Sequence, residues 1–147
     1  MKNQFTRNIA ILGLFFLLAI ASVNAQAPSR VEVNVPFDFS AGKATLKAGA
    51  YNIKRTSGNL LAIRSADGKT TALINAPLTI SSRDSKSGER LVFNQYGDQY
   101  FLSQVWLSVD TGRQLFTSRE ESKVAREYKL ANDNAKPKRV EVAMHSR

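Results

Sequence analysis

Apolar and polar positions alternate in short runs along most of this chain, and glycine, Asx and proline residues separate the runs. That is the pattern of half-buried β-strands joined by turns. Arg30-Val-Glu-Val-Asn-Val35 alternates strictly and predicts a first strand. Pro36 has no N–H to give a ladder, so the continuation through Phe37 and Phe39 is expected as an edge strand or a bulge. Thr45 and Leu46 form a short strand between turns at Gly42 and Gly49. Tyr51, Ile53 and Arg55 then alternate with Asn52, Lys54 and Thr56.

The turns set the register. Asp67-Gly68 is a two-residue hairpin signal, because both residue types tolerate positive φ. Closing on it pairs Ile63 with Ala72, Leu61 with Ile74 and Arg64 with Thr71, which sets apolar against apolar on one face. A two-residue loop at Gly58-Asn59 would place Lys54 against Ile63 and turn every side chain to the wrong face. A three-residue loop, Ser57-Gly58-Asn59, pairs Ile53 with Ile63 instead, with one residue in the left-handed region. Gly97-Asp98 closes a third hairpin that sets Phe93 opposite Leu102 and Leu91 opposite Gln104, with Trp106 further along that face. Val92, Phe101, Val105 and Leu107 take the other face. A strand apolar on both sides belongs in the middle of a fold, so residues 101–109 are the expected central strand. The polar residues 81–88 read as an exposed loop. Asp110-Thr-Gly-Arg113 reads as a turn before a short extended stretch at 114–117.

The period then changes. Ser118-Arg-Glu-Glu121 fits a capping box, with Ser118 receiving a backbone N–H and the Glu121 side chain reaching back. Helix formers run on to Ala131, with Val124, Tyr128 and Ala131 along one stripe. Glu120 and Glu121 in the first turn and Lys129 in the last suit the helix dipole. Asn132-Asp-Asn134 and Pro137 stop the helix. The expected architecture is all-β, a small antiparallel sandwich or open barrel of about seven or eight strands with one C-terminal helix.

The N-terminus departs from this pattern. Lys2 and Arg7 are followed by an uncharged, apolar run at 9–21 and by Ser22-Val-Asn-Ala25, the layout of a secretory signal cleaved after Ala25. The run is shorter than the ~20 residues of a spanning helix. The organisation expected is a signal peptide at 1–25, a β-rich domain ending in the helix at 26–131, and a basic flexible tail at 132–147. Val140 and Val142 in that tail have the spacing of one edge strand. Export implies a periplasmic or extracellular location.

Composition narrows the chemistry. With 147 residues, no Cys and one His, the chain has no thiol nucleophile, no thiolate metal site and no multi-His metal shell. No metal or cofactor is therefore expected. The formal charge of +9 falls to +7 once Lys2 and Arg7 leave with the signal, and the excess is spread along the chain. Anionic envelope polymers or lipid headgroups are the partners such a surface would attract, with Lys123, Arg126, Lys136, Lys138 and Arg139 as candidate contacts. Export argues against nucleic acid. The aromatic residues Phe93, Tyr100, Phe101 and Trp106 are candidates to line an apolar-ligand pocket in a barrel, although in a small barrel such residues usually fill the core.

Catalytic motifs are sparse. Asp110-Thr111-Gly112 has the triplet of the aspartic peptidases, whose chemistry needs two carboxylates sharing a proton. Arg113 stands where that family has a small residue, and a turn accounts for the triplet. Ser40-Ala-Gly-Lys43 matches Ser-x-x-Lys without its companion motifs. Gly68-Lys69-Thr70 lacks the upstream glycine of a phosphate loop, since Ile63 stands there. His145 sits two residues from the C-terminus.

Three stretches together carry a resemblance: Val35-Pro-Phe-Asp-Phe39; Leu46 with Ala48-Gly-Ala-Tyr51; and Tyr100-Phe-Leu-Ser-Gln-Val-Trp106 followed by Arg113-Gln-Leu115 and Ser118-Arg-Glu120. They resemble a group of small, uncharacterised exported bacterial proteins with the same order of elements, although Lys47 stands where that group usually has proline. The resemblance implies the architecture and export. It implies no catalytic residue, since no activity is established for the group. The function expected is that of a non-catalytic exported protein acting through surface binding. A carrier of a small apolar ligand is the alternative, and a hydrolase built on Asp110 comes third.

Overall fold

The computed structural model describes residues 31–82, 88–133 and 135–146. The expected signal peptide and most of the expected 81–88 loop lie outside the described residues. The elements run β1 (Val31–Val35), β2 (Phe39–Ala41), β3 (Ala44–Leu46), β4 (Gly49–Arg55), β5 (Leu60–Ser65), β6 (Thr71–Asn75), β7 (Leu78–Ser81), β8 (Arg90–Tyr96), β9 (Gln99–Trp106), β10 (Thr111–Gln114), α1 (Arg119–Ala131), β11 (Lys138–Ala143) and β12 (His145–Ser146). A five-stranded sheet has the order β12-β1-β4-β5-β6. A seven-stranded sheet has the order β11-β8-β9-β10-β7, with β2 paired to β3 and, in parallel, to β9. The sheets do not close into a barrel. Short pairings of two to four residues bring the strand number above the expected seven or eight.

The core lies between the sheets, and period-two alternation puts it there. Val31, Val33 and Val35 of β1, Tyr51 and Ile53 of β4, Leu61 and Ile63 of β5, and Ala72 and Ile74 of β6 point inward from the first sheet. Leu91, Phe93, Leu102 and Val105 meet them from the second. Phe93 is fully buried, with the rings of Phe37 and Phe39 edge-on to it at 5.1 and 5.3 Å. A side chain of that size contributes about 3 kcal/mol when fully buried.

The two predicted registers of the first sheet are found. Ile53 pairs with Ile63 across a Ser57-Gly58-Asn59 loop in which Gly58 has φ 54°. Ile63 pairs with Ala72, Leu61 with Ile74 and Arg64 with Thr71. The Asp67-Gly68 turn is longer than expected: Ser65 N–H donates to Thr70 C=O and Gly68 N–H to Ser65 C=O, so four residues span the ends. Only Gly68 has positive φ, at 73°. Two-residue and four-residue loops share the same midpoint, so the register survives the difference.

Other expectations are corrected. Pro36 ends β1, and the chain crosses there to the second sheet rather than extending the first strand. A bulge between Val92 and Phe93 leaves Phe93 opposite Leu102 but moves Leu91 opposite Val105, not Gln104. Val105 thereby turns into the core and Trp106 to the outer face, the reverse of unbroken alternation. The central strand ends at Trp106, and the turn is at 107–110, so Thr111 and Gly112 belong to β10 and the extended stretch begins earlier than 114. The segment 132–147 is not a loose tail over its described part. Lys138–Ala143 pairs with β8 along six residues, buried Met144 follows, and His145–Ser146 pairs with β1. Val140 and Val142 fall opposite Phe93 and Leu91 and extend the core beneath what would otherwise be an open edge.

Helix α1 covers part of the second sheet's outer face. Ser118 caps it as expected, accepting the Glu121 N–H at 3.0 Å. Glu121 does not reach back to complete a capping box. Its carboxylate is buried and accepts from Asn94 Nδ2 at 2.8 Å and from the Tyr96 hydroxyl at 3.4 Å. The helix face that meets the sheet is Glu121, Val124, Ala125 and Tyr128, while Ala131 is exposed.

Candidate functional site

The outer face of the first sheet is formed by the residues that alternate with its core. Register aligns them in rows. Glu32, Asn52, Arg64 and Thr71 lie side by side across four strands, with His145 opposite Glu32 at one end. Asn34 and Ala50 form the next row, extended by Ala66, whose N–H donates to Ala50 C=O at 2.8 Å. Lys54, Ala62 and Leu73 form the row on the other side. The short side chains of Ala50, Ala62 and Ala66 make a low floor between longer neighbours.

Three adjoining depressions of about 360, 660 and 330 Å³ follow this floor. Asn52 and Ala66 are common to the first two, and Asp67 to the second and third. The Arg64 guanidinium lies over Gly68: a Cβ there would stand 3.0 Å from Arg64 Nη2. Gly68 thus serves both the turn and the placement of Arg64. The Ser65 hydroxyl and then the Lys69 backbone N–H hold the Asp67 carboxyl below its ordinary range. At the far end the Lys47 ammonium, 2.7 Å away, and then the Ala48 N–H do the same for Asp38.

The outer face of the second sheet carries a different set. Arg90 is 5% exposed, and its guanidinium lies 4.4 Å from the Trp106 ring centroid while Nη1 donates to Gly88 C=O at 2.9 Å. Arg90 Nε stands 3.4 Å from Glu141 Oε2, an ion pair without hydrogen-bond geometry. Arg139 Nε donates to Glu141 Oε1 at 3.1 Å, and its Nη2 to Gln104 Oε1 at 3.2 Å. Trp106 Nε1 donates to the same Gln104 oxygen at 3.0 Å. Beside this network, Val92, Tyr96 and Phe101 are buried on the helix side, with Tyr96 edge-on to Phe101 and to Tyr128. Burial and then the Glu121 charge push the Tyr96 hydroxyl above its ordinary range.

The sequence candidates are dispersed by this arrangement. Phe93 and Tyr100 point to the inter-sheet core, where Tyr100 stacks on Phe37 at 3.8 Å, whereas Phe101 and Trp106 point outward. They line none of the three depressions. Lys123 and Arg126 are exposed on α1, Lys136 and Lys138 are exposed before and at the start of β11, and Arg139 is engaged by Glu141 and Gln104. Asp110 is exposed; its carboxylate accepts from the turn hydroxyls Ser108 Oγ at 3.2 Å and Thr111 Oγ1 at 3.3 Å, and its backbone C=O from Ser82 N–H at 2.9 Å. Ser40 and Thr45 pair across the β2–β3 hairpin. Among the described residues no group of three His, Cys, Asp or Glu could hold a metal ion, and no helix is long and apolar enough to cross a membrane.

Asn34, Asn52, Lys54 and Arg64 were not candidates on sequence grounds. Their signal was present as the polar half of the alternation that located the core. The open face offers amide, guanidinium and ammonium donors, together with the Glu32 and Asp67 carboxylates, over a low floor, which suits binding through hydrogen bonds and charge. Comparison of the chain with protein-family models, with curated proteins and with solved structures finds no match in any of the three.

Proposed function

We propose that this protein is exported and binds an anionic polymer of the cell envelope, without catalysis, through the open outer face of its first sheet. The observation that carries the reading is the contrast between the two outer faces. Helix α1 packs on the second, whereas no described element covers the first, where Lys54 and Arg64 stand beside an alanine-floored depression. The net charge, +7 once Lys2 and Arg7 leave with the signal, acts in the same direction at longer range. The pattern of residues 1–25 and the resemblance to small exported bacterial proteins support the location.

Dextran sulfate as a soluble polyanion, and vesicles with or without phosphatidylglycerol, test this reading. Binding is expected at low ionic strength and must weaken as salt shortens the Debye length from ~30 Å at 0.01 M to ~8 Å at 0.15 M. At about 1 kcal/mol for each basic residue near an anionic surface, the Lys54→Glu/Arg64→Glu variant should lose at least ~10-fold in affinity. Lys123→Glu/Arg126→Glu on the helix should lose less. Absence of binding at low salt, or equal binding by the two variants, would sink the proposal.

A further inference from the structure

We infer that β6 is a self-association edge through which two copies of this chain pair antiparallel, joining their first sheets into one. β6 is the last strand of that sheet, and among the described residues only β5 pairs with it. The ladder between them decides which backbone groups remain. Ser65 N–H donates to Thr70 C=O and Ala76 N–H to Asn59 C=O, both at 2.9 Å. By antiparallel alternation the even-numbered residues face β5, and Thr71, Leu73 and Asn75 direct both N–H and C=O away from it. Such a row is a template for another strand, and edge strands normally carry a charge, a proline or a bulge that blocks it. β6 reads Thr-Ala-Leu-Ile-Asn and has no charge or proline, and its pairing with β5 is regular. Leu73, 65% exposed, is the most exposed large apolar side chain of any described strand.

The register favours a second copy as the occupant, and charge opposes it least at this edge. Two bodies of net charge +7, the value without Lys2 and Arg7, repel wherever basic surfaces meet, and β6 is an uncharged strand along which they can approach. A twofold axis through Leu73 sets it against Leu73 of the partner subunit and sets Thr71 against Asn75 of the partner subunit. The row Lys54, Ala62, Leu73 then continues into its own image. Alanines and leucines meet at the centre, and the two Lys54 chains lie five strand spacings apart, roughly 24 Å, beyond the Debye length at physiological salt. Arg64, in the Thr71 row, faces the Asn75 and Leu60 row of the other copy rather than Arg64.

This inference does not depend on polyanion binding, and salt separates the two: added salt weakens the one and tightens the other by screening repulsion between copies. Sedimentation of the purified protein should show a dimer whose dissociation constant falls as salt rises. Leu73→Lys should weaken dimerisation at least tenfold while its unfolding midpoint stays unchanged. Because the chain has no cysteine, Leu73→Cys gives a direct register test. A hydrogen-bonded antiparallel pair holds Cα atoms about 5.5 Å apart, within the span of a disulfide. Mild oxidation should therefore convert Leu73→Cys to a covalent dimer much faster than Leu130→Cys, at the 82% exposed Leu130 of α1. A monomer at all salt concentrations, a dimer indifferent to Leu73→Lys, or equal cross-linking of the two cysteine variants would each overturn the inference.

Discussion

Gly112 of β10 packs directly beneath the Trp106 ring: a Cβ at that position would stand 2.6 Å from Trp106 Cδ2 and 2.9 Å from Cε2 and Cε3. Arg90 lies over the same indole, its guanidinium carbon 4.4 Å from the ring centroid. A methyl group at 112 must displace the indole, and the arginine with it. Gly112→Ala is expected to destabilise the protein by about 1–3 kcal/mol, the cost of overpacking. Trp106 is the only tryptophan of the chain, so its fluorescence should report the shift alongside thermal unfolding.

Ser118 and Glu121 begin the same helix but do different work. Ser118→Ala removes one cap bond and should cost about 1 kcal/mol. Glu121→Ala leaves the half-buried Asn94 amide and the buried Tyr96 hydroxyl without their acceptor and should cost more, about 1–3 kcal/mol, and it should loosen the helix from the sheet. Chemical denaturation of both variants, with hydrogen exchange along 119–131, separates the two effects.

The Asp38–Lys47 ion pair gives a pH dependence with a definite sign. The Lys47 ammonium and the Ala48 N–H hold the Asp38 carboxyl below its ordinary value of 3.8, and Asp38 holds Lys47 above 10.5. A depressed carboxyl stabilises the fold above its unfolded value and loses that contribution as pH falls through the folded one. A raised amine stabilises below its unfolded value and loses the contribution as pH rises through the folded one. Wild type should therefore exceed Asp38→Asn most between about pH 4 and pH 10, and the two unfolding curves should converge in stronger acid.

Gly58 tests the three-residue loop. Gly58→Ala, strained at φ 54°, should cost about 1 kcal/mol in chemical denaturation while Ile53 stays opposite Ile63.

Removal of residues 138–147 tests the last strands. Without Val140, Val142 and Met144, the β8 edge is open and part of the core is uncovered. Loss of about 3 kcal/mol or more and a rise in light scattering on storage are expected.

The first sheet was legible because each of its cues is local. Alternation in β1, β4 and β5, the length of the Ser57-Gly58-Asn59 loop and the midpoint of the Asp67-Gly68 turn were enough to pair Ile53 with Ile63 and Ile63 with Ala72. The second sheet was legible only up to Leu102. A bulge leaves no mark in hydrophobic periodicity when apolar residues occupy both faces, as Phe101, Leu102, Val105 and Trp106 do. Glu121 was misread for a related reason: a capping box depends on the helix alone, but the carboxylate is taken by Asn94 and Tyr96 from a distant strand. The open face was half legible. Its polar residues were visible one by one, and nothing local says which of two outer faces a helix will cover.

By itself, then, the order of residues determined the strand-rich class, the C-terminal helix with its Ser118 cap, and the pairings closed by short loops, since backbone preference and near-neighbour burial act over a few positions. Tertiary structure alone decided that Trp106 would turn outward over Gly112, that residues 138–146 would pair with both sheets, and that Asn52, Lys54 and Arg64 would share an uncovered face. Those outcomes depend on contacts between segments far apart in the chain, whose energies no local pattern encodes.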